Sequence, residues 1–252
     1  MIASLPMYDR PENAWAHDAL WALVRDAMRR WGIAAPDALD RETGHVEGWE
    51  RPDLLLGQIC NLPWRARFRD RVTILGTAHY DLDAEPGHYF SVIVARADDP
   101  RPGPRFALND PLSNSGWDMP QEWARENGVS LRPVLVTGSH AGSLRAVAEG
   151  RADLAGIDAV TFRAMLRWDA AAQAVRVVGR TRATPGMSFV TARAHDPAPI
   201  RDALAEALAR LPRELSDALG LRGMVALPPS AYERPLPPPP LLAPVLAPVP
   251  TP

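Results

Sequence analysis

The 252-residue sequence predicts an α/β chain in which strands alternate with helices around mainly parallel sheet. Three observations predict it. Short apolar runs recur along the chain, among them "DLLLGQIC", "VTILGTAHY", "SVIVAR", "PVLVTG", "ADLAGID" and "MSFVTAR". Helix-length segments with apolar residues three or four apart stand between several of them. Glycines follow the predicted helices, at Gly32, Gly128 and Gly150, as stop signals.

Taken in order, residues 2–7 form a short strand broken by Pro6. A helix then spans about 13–31, with Asn13 as its cap and Trp15, Ala19, Leu23, Ala27 and Trp31 as an apolar face. "HYFSVIVARADDP" is the longest strand-like run, bounded by the loop "DDPRPGP". A helix over 117–126 takes Pro120 into its first turn, where a missing N–H costs little. "AGSLRAVAEG" and "AVTFRAMLRW" are helical, and helices near 199–210 and 212–219 complete the folded part. No internal repeat is present. The end, "PLPPPPLLAPVLAPVPTP", holds nine prolines in eighteen residues, and it predicts a disordered, partly polyproline II extension.

Composition bounds the function. Hydrophobic residues at 46% and charged residues at 23% are those of a globular chain long enough for one large domain or two lobes. All 28 basic residues are Arg, and the net charge of −2 gives no basic field for nucleic acid or an acidic membrane. No apolar run is long enough for membrane insertion. The N-terminal "MIASLPMYDRPENAW" lacks a basic n-region and an apolar h-region, so the expectation is a cytoplasmic chain or one whose export signal lies outside these residues. Cys60 is the sole cysteine, which excludes an intrachain disulfide and reads as a small hydrophobe, not a nucleophile. His79, Asp81, Asp83, Glu85 and His88 crowd one Pro-Gly loop but lack a metal-ligand frame, so neither metal nor cofactor is expected.

Two strand-to-helix turns carry the chemistry. "NDPLSNSGW" offers Ser113, Asn114 and Ser115 before Gly116, more donors than a bland turn needs. "VTGSHAGSLRAVAEG" repeats the pattern with Ser139 and His140 at a helix start. Each turn alone reads as a capped helix. Together they present hydroxyls, backbone N–H groups and helix N-termini that suit one oxyanion, with His140 a charged donor when protonated. Trp117 reads as a packing residue.

With these two turns, "DLLLGQICNLPW" and "HYFSVIVARADDP", the chain resembles the phosphonate- and phosphite-binding receptors of ABC importers over about residues 3–228. The resemblance implies a two-lobed type-2 periplasmic-binding-protein fold, each lobe a mainly parallel sheet flanked by helices, with the ligand in the cleft. Lobe one is then 1–90 plus 188–228, lobe two 91–187, and 229–252 the proline-rich tail. It implies that Ser113, Asn114, Ser115 and Gly116 hold a small phosphonate- or phosphate-like oxyanion, with Ser139 and His140 opposite. By position, Tyr8, Gln58, Cys60 and Tyr80 are its lobe-one candidates for the rest of the ligand. Asp158 either accepts from the ligand or caps the helix that follows it. The implied partners are the small-molecule ligand and an ABC permease, and the expected state is a monomer.

Two rival functions use the same residues. An enzyme on this scaffold, similar to thiamine-pyrimidine synthases or chorismate dehydratases, would use His140 and Asp158 as acid and base and Cys60 as a thiol. The clustered-cysteine iron motif of the former is missing. A cytoplasmic ligand sensor would use the proline tail to contact its partner.

Overall fold

The computed structural model describes residues 1–242; the last ten residues of the predicted disordered tail lie outside the described residues. In chain order the elements begin with β1 (Ile2–Ala3), α1 (Ala14–Arg30), α2 (His45–Glu50), β2 (Leu54–Ile59), α3 (Asn61–Pro63, continued by a π turn over Trp64–Phe68) and β3 (Val72–Tyr80). Next come β4 (His88–Tyr89), β5 (Ser91–Arg96), β6 (Arg105–Leu108), α4 (Met119–Glu126), β7 (Arg132–Val136), α5 (His140–Ala148) and β8 (Leu154–Asp158). The rest are α6 (Ala159–Trp168), β9 (Val175–Arg180), β10 (Thr184–Pro185), β11 (Ser188–Ala192), α7 (Pro197–Ala209), α8 (Arg213–Leu219) and β12 (Leu221–Val225).

The chain divides into two compact units, one of Met1–Tyr89 with Ala183–Arg234, the other of Phe90–Arg182 with the residues from Pro235. The sequence places the changeovers at 90 and 187; the contacts place them at 89 and 182, because β10 pairs with β4 inside unit 1.

Unit 1 is built on a sheet of order β1-β2-β11-β3-β12. β2 is buried along its whole length, and Leu54, Ile59, Phe68, Val72 and Val190 form one apolar cluster with Trp49. Unit 2 has the order β7-β6-β8-β5-β9. Its apolar runs are continuous because both sheet faces are covered. Val92, Val94, Ala107 and Ile157 pack with α5 and α6 residues, while Ile93, Ala95, Phe106 and Leu108 pack with Trp117 and Trp123. Each buried Val, Ile, Leu or Phe among them contributes about 1.5–3 kcal/mol by leaving water.

The sheets are mixed, where the sequence predicts mainly parallel ones. β6 pairs in parallel with β7 and β8, but β5 is antiparallel to both β8 and β9. In unit 1, β11 runs antiparallel to β2 and β3, and β12 antiparallel to β3. The physical reason lies in the chain path. β5 and β11 are the first long strands after the chain passes from one unit to the other, so no helical crossover within the sheet forces them parallel.

Helix α1 corrects a second expectation. Trp15 and Trp31 are about half exposed, and the buried face is Leu20, Trp21, Val24, Ala27 and Met28. A strict spacing of four drifts about 40° per step, so Trp15 and Trp31 lie about 160° apart around the helix. Alternating steps of three and four hold one face. Gly32, at φ 74°, ends the helix where a left-handed residue is required. Asn13 stands at the N-cap position, yet its Oδ1 accepts from the Arg10 N–H (2.9 Å) and closes the preceding turn.

The same helix buries His17. Its Nδ1–H donates to the Asn13 carbonyl (3.2 Å), with Asp9 at 3.8 Å. Burial pushes its pKa below the ordinary 6.5, against the opposing pull of Asp9. The unfolded chain therefore binds this proton more tightly, and stability present above about pH 6.5 is lost as pH falls toward the folded-state value. Urea midpoints measured from pH 8 to pH 5 should fall less steeply in His17→Gln than in the parent; equal slopes would place the acid sensitivity elsewhere.

The tail is the third correction. Residues 229–238 are tied down rather than disordered, because Tyr232 is buried and Pro238 accepts a hydrogen bond from Trp117.

Candidate functional site

β6 and β7 are adjacent parallel strands, and their ladder continues past both strand ends. The Thr137 N–H donates to the Leu108 carbonyl (2.9 Å) and the Gly138 N–H to the Asn109 carbonyl (3.0 Å). The two turns that look alike in sequence are thereby fastened side by side.

The first turn is a π-helical turn, Asn114–Asp118, leading into α4. Ser113 Oγ accepts from the Gly116 N–H (2.9 Å), and its carbonyl accepts from Trp117 and Asp118. In the second turn Ser139 Oγ accepts from the Gly142 N–H (3.0 Å) and caps α5. Each cap bond uses an oxygen lone pair and leaves the hydroxyl proton to donate. Ser113, Asn114 and Ser115 are all buried.

His140 joins the turns. Its Nδ1 lies 3.1 Å from the Gly156 carbonyl, which can only accept, so Nδ1 carries a proton. Its Nε2 then faces Ser115 Oγ at 2.8 Å. With a neutral ring Ser115 donates to Nε2. With a protonated ring Nε2–H donates to Ser115 Oγ, and the serine proton is released toward an anion. This is the chemical capacity of the site: a hydroxyl whose donor role is set by the charge of the histidine behind it.

Asn109, Ser91 and Gly156 support the turns without having been marked by the sequence. Ser91 Oγ–H donates to the Ser115 carbonyl (2.8 Å). Asn109 lies so close that a Cβ on Gly116 would stand 1.7 Å from its Oδ1. Ser91 and Gly156 act through the order of β5, β8 and β6 in the sheet, which composition does not encode.

Asp158 ends β8, and its Oδ1 accepts from the N–H groups of Val160 (2.8 Å) and Thr161 (3.1 Å). These two bonds cap the start of α6. In unit 1, Tyr8 and Tyr80 meet edge to face at 5.0 Å, and Gln58 Nε2 donates to the Tyr80 hydroxyl (3.4 Å). These three line one cavity of about 10 Å³ with His17, Leu5, Leu20, Leu219 and Leu221, space for about one water. Cys60 follows β2 at the start of α3 and is half-buried. Trp117 is buried against Phe106, with ring centroids 6.4 Å apart. In the Pro-Gly loop Asp81 pairs with Arg222 (2.9 Å), and no group of three metal-ligating side chains occurs among the described residues.

A family model described as the periplasmic substrate-binding protein of phosphonate ABC transporters matches residues 60–232. The chain belongs to this family. The match takes in most of the sequence and both turns of the cradle. Among solved structures, PhnD1 from Prochlorococcus marinus in complex with methylphosphonate superposes with a TM-score of 0.68 at 14% identity, covering 92% of this chain and 94% of that one. A binding protein component of an ABC phosphonate transporter from Pseudomonas aeruginosa gives 0.69 at 15% identity, covering 92% and 82%. XAC2383 from Xanthomonas citri, bound to ATP, gives 0.68 at 16%, covering 92% of each chain. At these identities the likeness carries the fold, and the two units are the lobes of a periplasmic-binding-protein architecture. No curated protein sequence matches the chain. No helix among the described residues is long and apolar enough to cross a membrane.

Proposed function

We propose that this substrate-binding protein carries a phosphorus oxyanion to an ABC permease, and that the unit 2 cradle of Ser113, Asn114, Ser115, Gly116, Ser139 and His140 holds it. The observation that carries the reading is the 2.8 Å contact between Ser115 and His140, which ties two donor-rich turns into one site. Oriented hydroxyls and a helix N-terminus favour a compact anion. The chemistry shared by methylphosphonate and the end of ATP, the ligands named for two of the structural neighbours, is a phosphorus centre with several anionic oxygens. Tyr8, Gln58 and Tyr80 on this reading stiffen the interior of unit 1, and Asp158 fixes the start of α6.

A Ser–His pair also suits nucleophilic catalysis, so turnover is part of the test. The third member here is a neutral carbonyl, Gly156 O, which orients the ring but offers an imidazolium less support than a carboxylate. Thermal denaturation with phosphate, phosphite, methylphosphonate, ATP, sulfate and acetate should show stabilisation by phosphorus oxyanions, with none of them consumed. A ligand at a hundred times its Kd adds about 2.7 kcal/mol, a shift of roughly 5–10 °C for a chain of this size. Ser115→Ala should lose most of that shift. Stabilisation by acetate alone, or turnover of a phosphate ester, would refute the proposal.

A further inference from the structure

The turn that presents Ser115 and Gly116 is supported from outside itself. Asn114–Asp118 wind as a π-helical turn, a rare conformation used in single turns and frequently at functional sites. Its closing bonds run from the Trp117 and Asp118 N–H groups to the Ser113 carbonyl (3.0 and 3.1 Å). The turn has no slack, since a Cβ on Gly116 would collide with Asn109 Oδ1. Trp117 is both a member of this turn and its link to the rest of unit 2. Its backbone closes the turn, its ring is 3% exposed and packs against Phe106, and its Nε1–H donates to the Pro238 carbonyl (2.9 Å).

Pro238 belongs to a strap. Residues 233–242 carry neither helix nor strand, and those from Pro235 belong to unit 2. Arg234, Pro237 and Pro240 are half-buried, while Pro235, Leu236, Pro238 and Pro239 are exposed. A three-residue period is that of polyproline II, whose carbonyls make no internal hydrogen bonds and are open to an outside donor. Prolines fix such a strap in advance, so little chain entropy is lost when an indole N–H takes one of its carbonyls. Trp117 is the residue directly after Gly116 of the cradle. Both partners of the Trp117–Pro238 bond, and every residue of the cradle, lie in unit 2.

We infer that the C-terminal strap is a positioning element of the cradle: Pro238 holds the Trp117 indole, the indole holds the π turn, and the turn keeps Ser115 and Gly116 ready for an anion. The inference rests on the oxyanion reading above. A turn ordered for only a fraction of the time binds with its affinity reduced by that fraction. The bond at stake joins two neutral groups, so releasing the strap weakens binding by about three- to tenfold and no more. Linkage makes the effect reciprocal. An anion in the cradle tightens the strap by the same factor, and the exposed tail thereby reports whether the receptor is loaded.

The experiment uses the full-length chain with methylphosphonate and phosphate as probes. Isothermal titration compares the parent with Trp117→Phe, which keeps a ring and removes the N–H. A second variant combines Pro237→Gly, Pro238→Gly and Pro239→Gly, which keeps every carbonyl and loosens the strap. A third carries both changes. In the parent, hydrogen exchange of the Trp117 indole N–H, one of eight indole signals, is followed by NMR with and without probe. The expected result is about three- to tenfold weaker binding by Trp117→Phe, a smaller loss in the glycine variant, and no further loss when the two are combined. The Trp117 indole should exchange more slowly by the same factor as the probe saturates, a response that a merely stabilising tail would not give. Equal affinities in the parent and Trp117→Phe, additive losses in the combined chain, or indole exchange unchanged at saturation would each overturn the strap inference and leave the oxyanion reading standing. Should Trp117→Phe not fold, the glycine variant and the parent's indole exchange decide by the same criteria. Binding of neither probe by the parent would remove the oxyanion reading and this inference with it.

Discussion

His140→Ala is expected to weaken oxyanion binding about ten- to a hundredfold, while the melting temperature moves by only a few degrees. A charge-assisted hydrogen bond contributes about 1.5–3 kcal/mol, which sets that range. The loss has two parts: the charge the ring brings when protonated, and the control over the Ser115 proton that the 2.8 Å contact provides. Two further variants separate them from the ring's structural role. His140→Asn puts an amide near the position of Nδ1 and keeps the bond to the Gly156 carbonyl; it should remain as stable as the parent and still bind weakly. His140→Gln places its amide near the position of Nε2 and restores a donor to Ser115, so it should recover part of the affinity. Equal affinity in the parent and His140→Ala would remove the histidine from the site, whatever the fold.

The turns were legible because their chemistry is local. Ser113 and Ser139 each cap the turn they begin, and a small hydroxyl residue ahead of a helix announces that in the sequence. Their meeting was legible in outline, since adjacent parallel strands deliver their following turns to the same end of a sheet. What holds them was not. Gly156 matters through van der Waals distances set by the order β7-β6-β8, which nothing within either turn encodes, whereas Asn109 meets Gly116 inside the first turn. β12, "LRGMV", has little strand character of its own; its pairing with β3 makes it a strand. The tail misled for a related reason. Nine prolines argue against sheet and helix but say nothing about one tyrosine that finds a half-buried indole and a threonine hydroxyl. On α1 the four-residue rhythm was real, but a helix turns 3.6 residues at a time and carries that rhythm off the core.

Gly156→Ala should cost both stability and binding, about 1–3 kcal/mol of the former and at least about tenfold in the latter. Gly156 sits in the middle of β8, and a Cβ there would stand 2.4 Å from Pro120 Cγ and 3.0 Å from the Ser115 carbonyl oxygen. Neither neighbour gives way easily. Pro120 is a ring locked into the first turn of α4, and the Ser115 carbonyl is already held by the Ser91 hydroxyl at 2.8 Å. The added methyl must push α4 off the sheet or displace Ser115, and Ser115 is the group that meets His140. Since the Gly156 carbonyl also anchors Nδ1, the substitution disturbs both ends of the Ser115–His140 contact. Gly48→Ala is the matched control, for it lies inside α2 with nothing within 4 Å of the new Cβ and should be neutral or stabilising by up to about 1 kcal/mol. Thermal denaturation and titration with methylphosphonate on both variants read the two effects separately. A Gly156→Ala chain as stable as its parent and binding equally well would mean that α4 yields at Pro120, and that the position of Ser115 is not set by packing against β8.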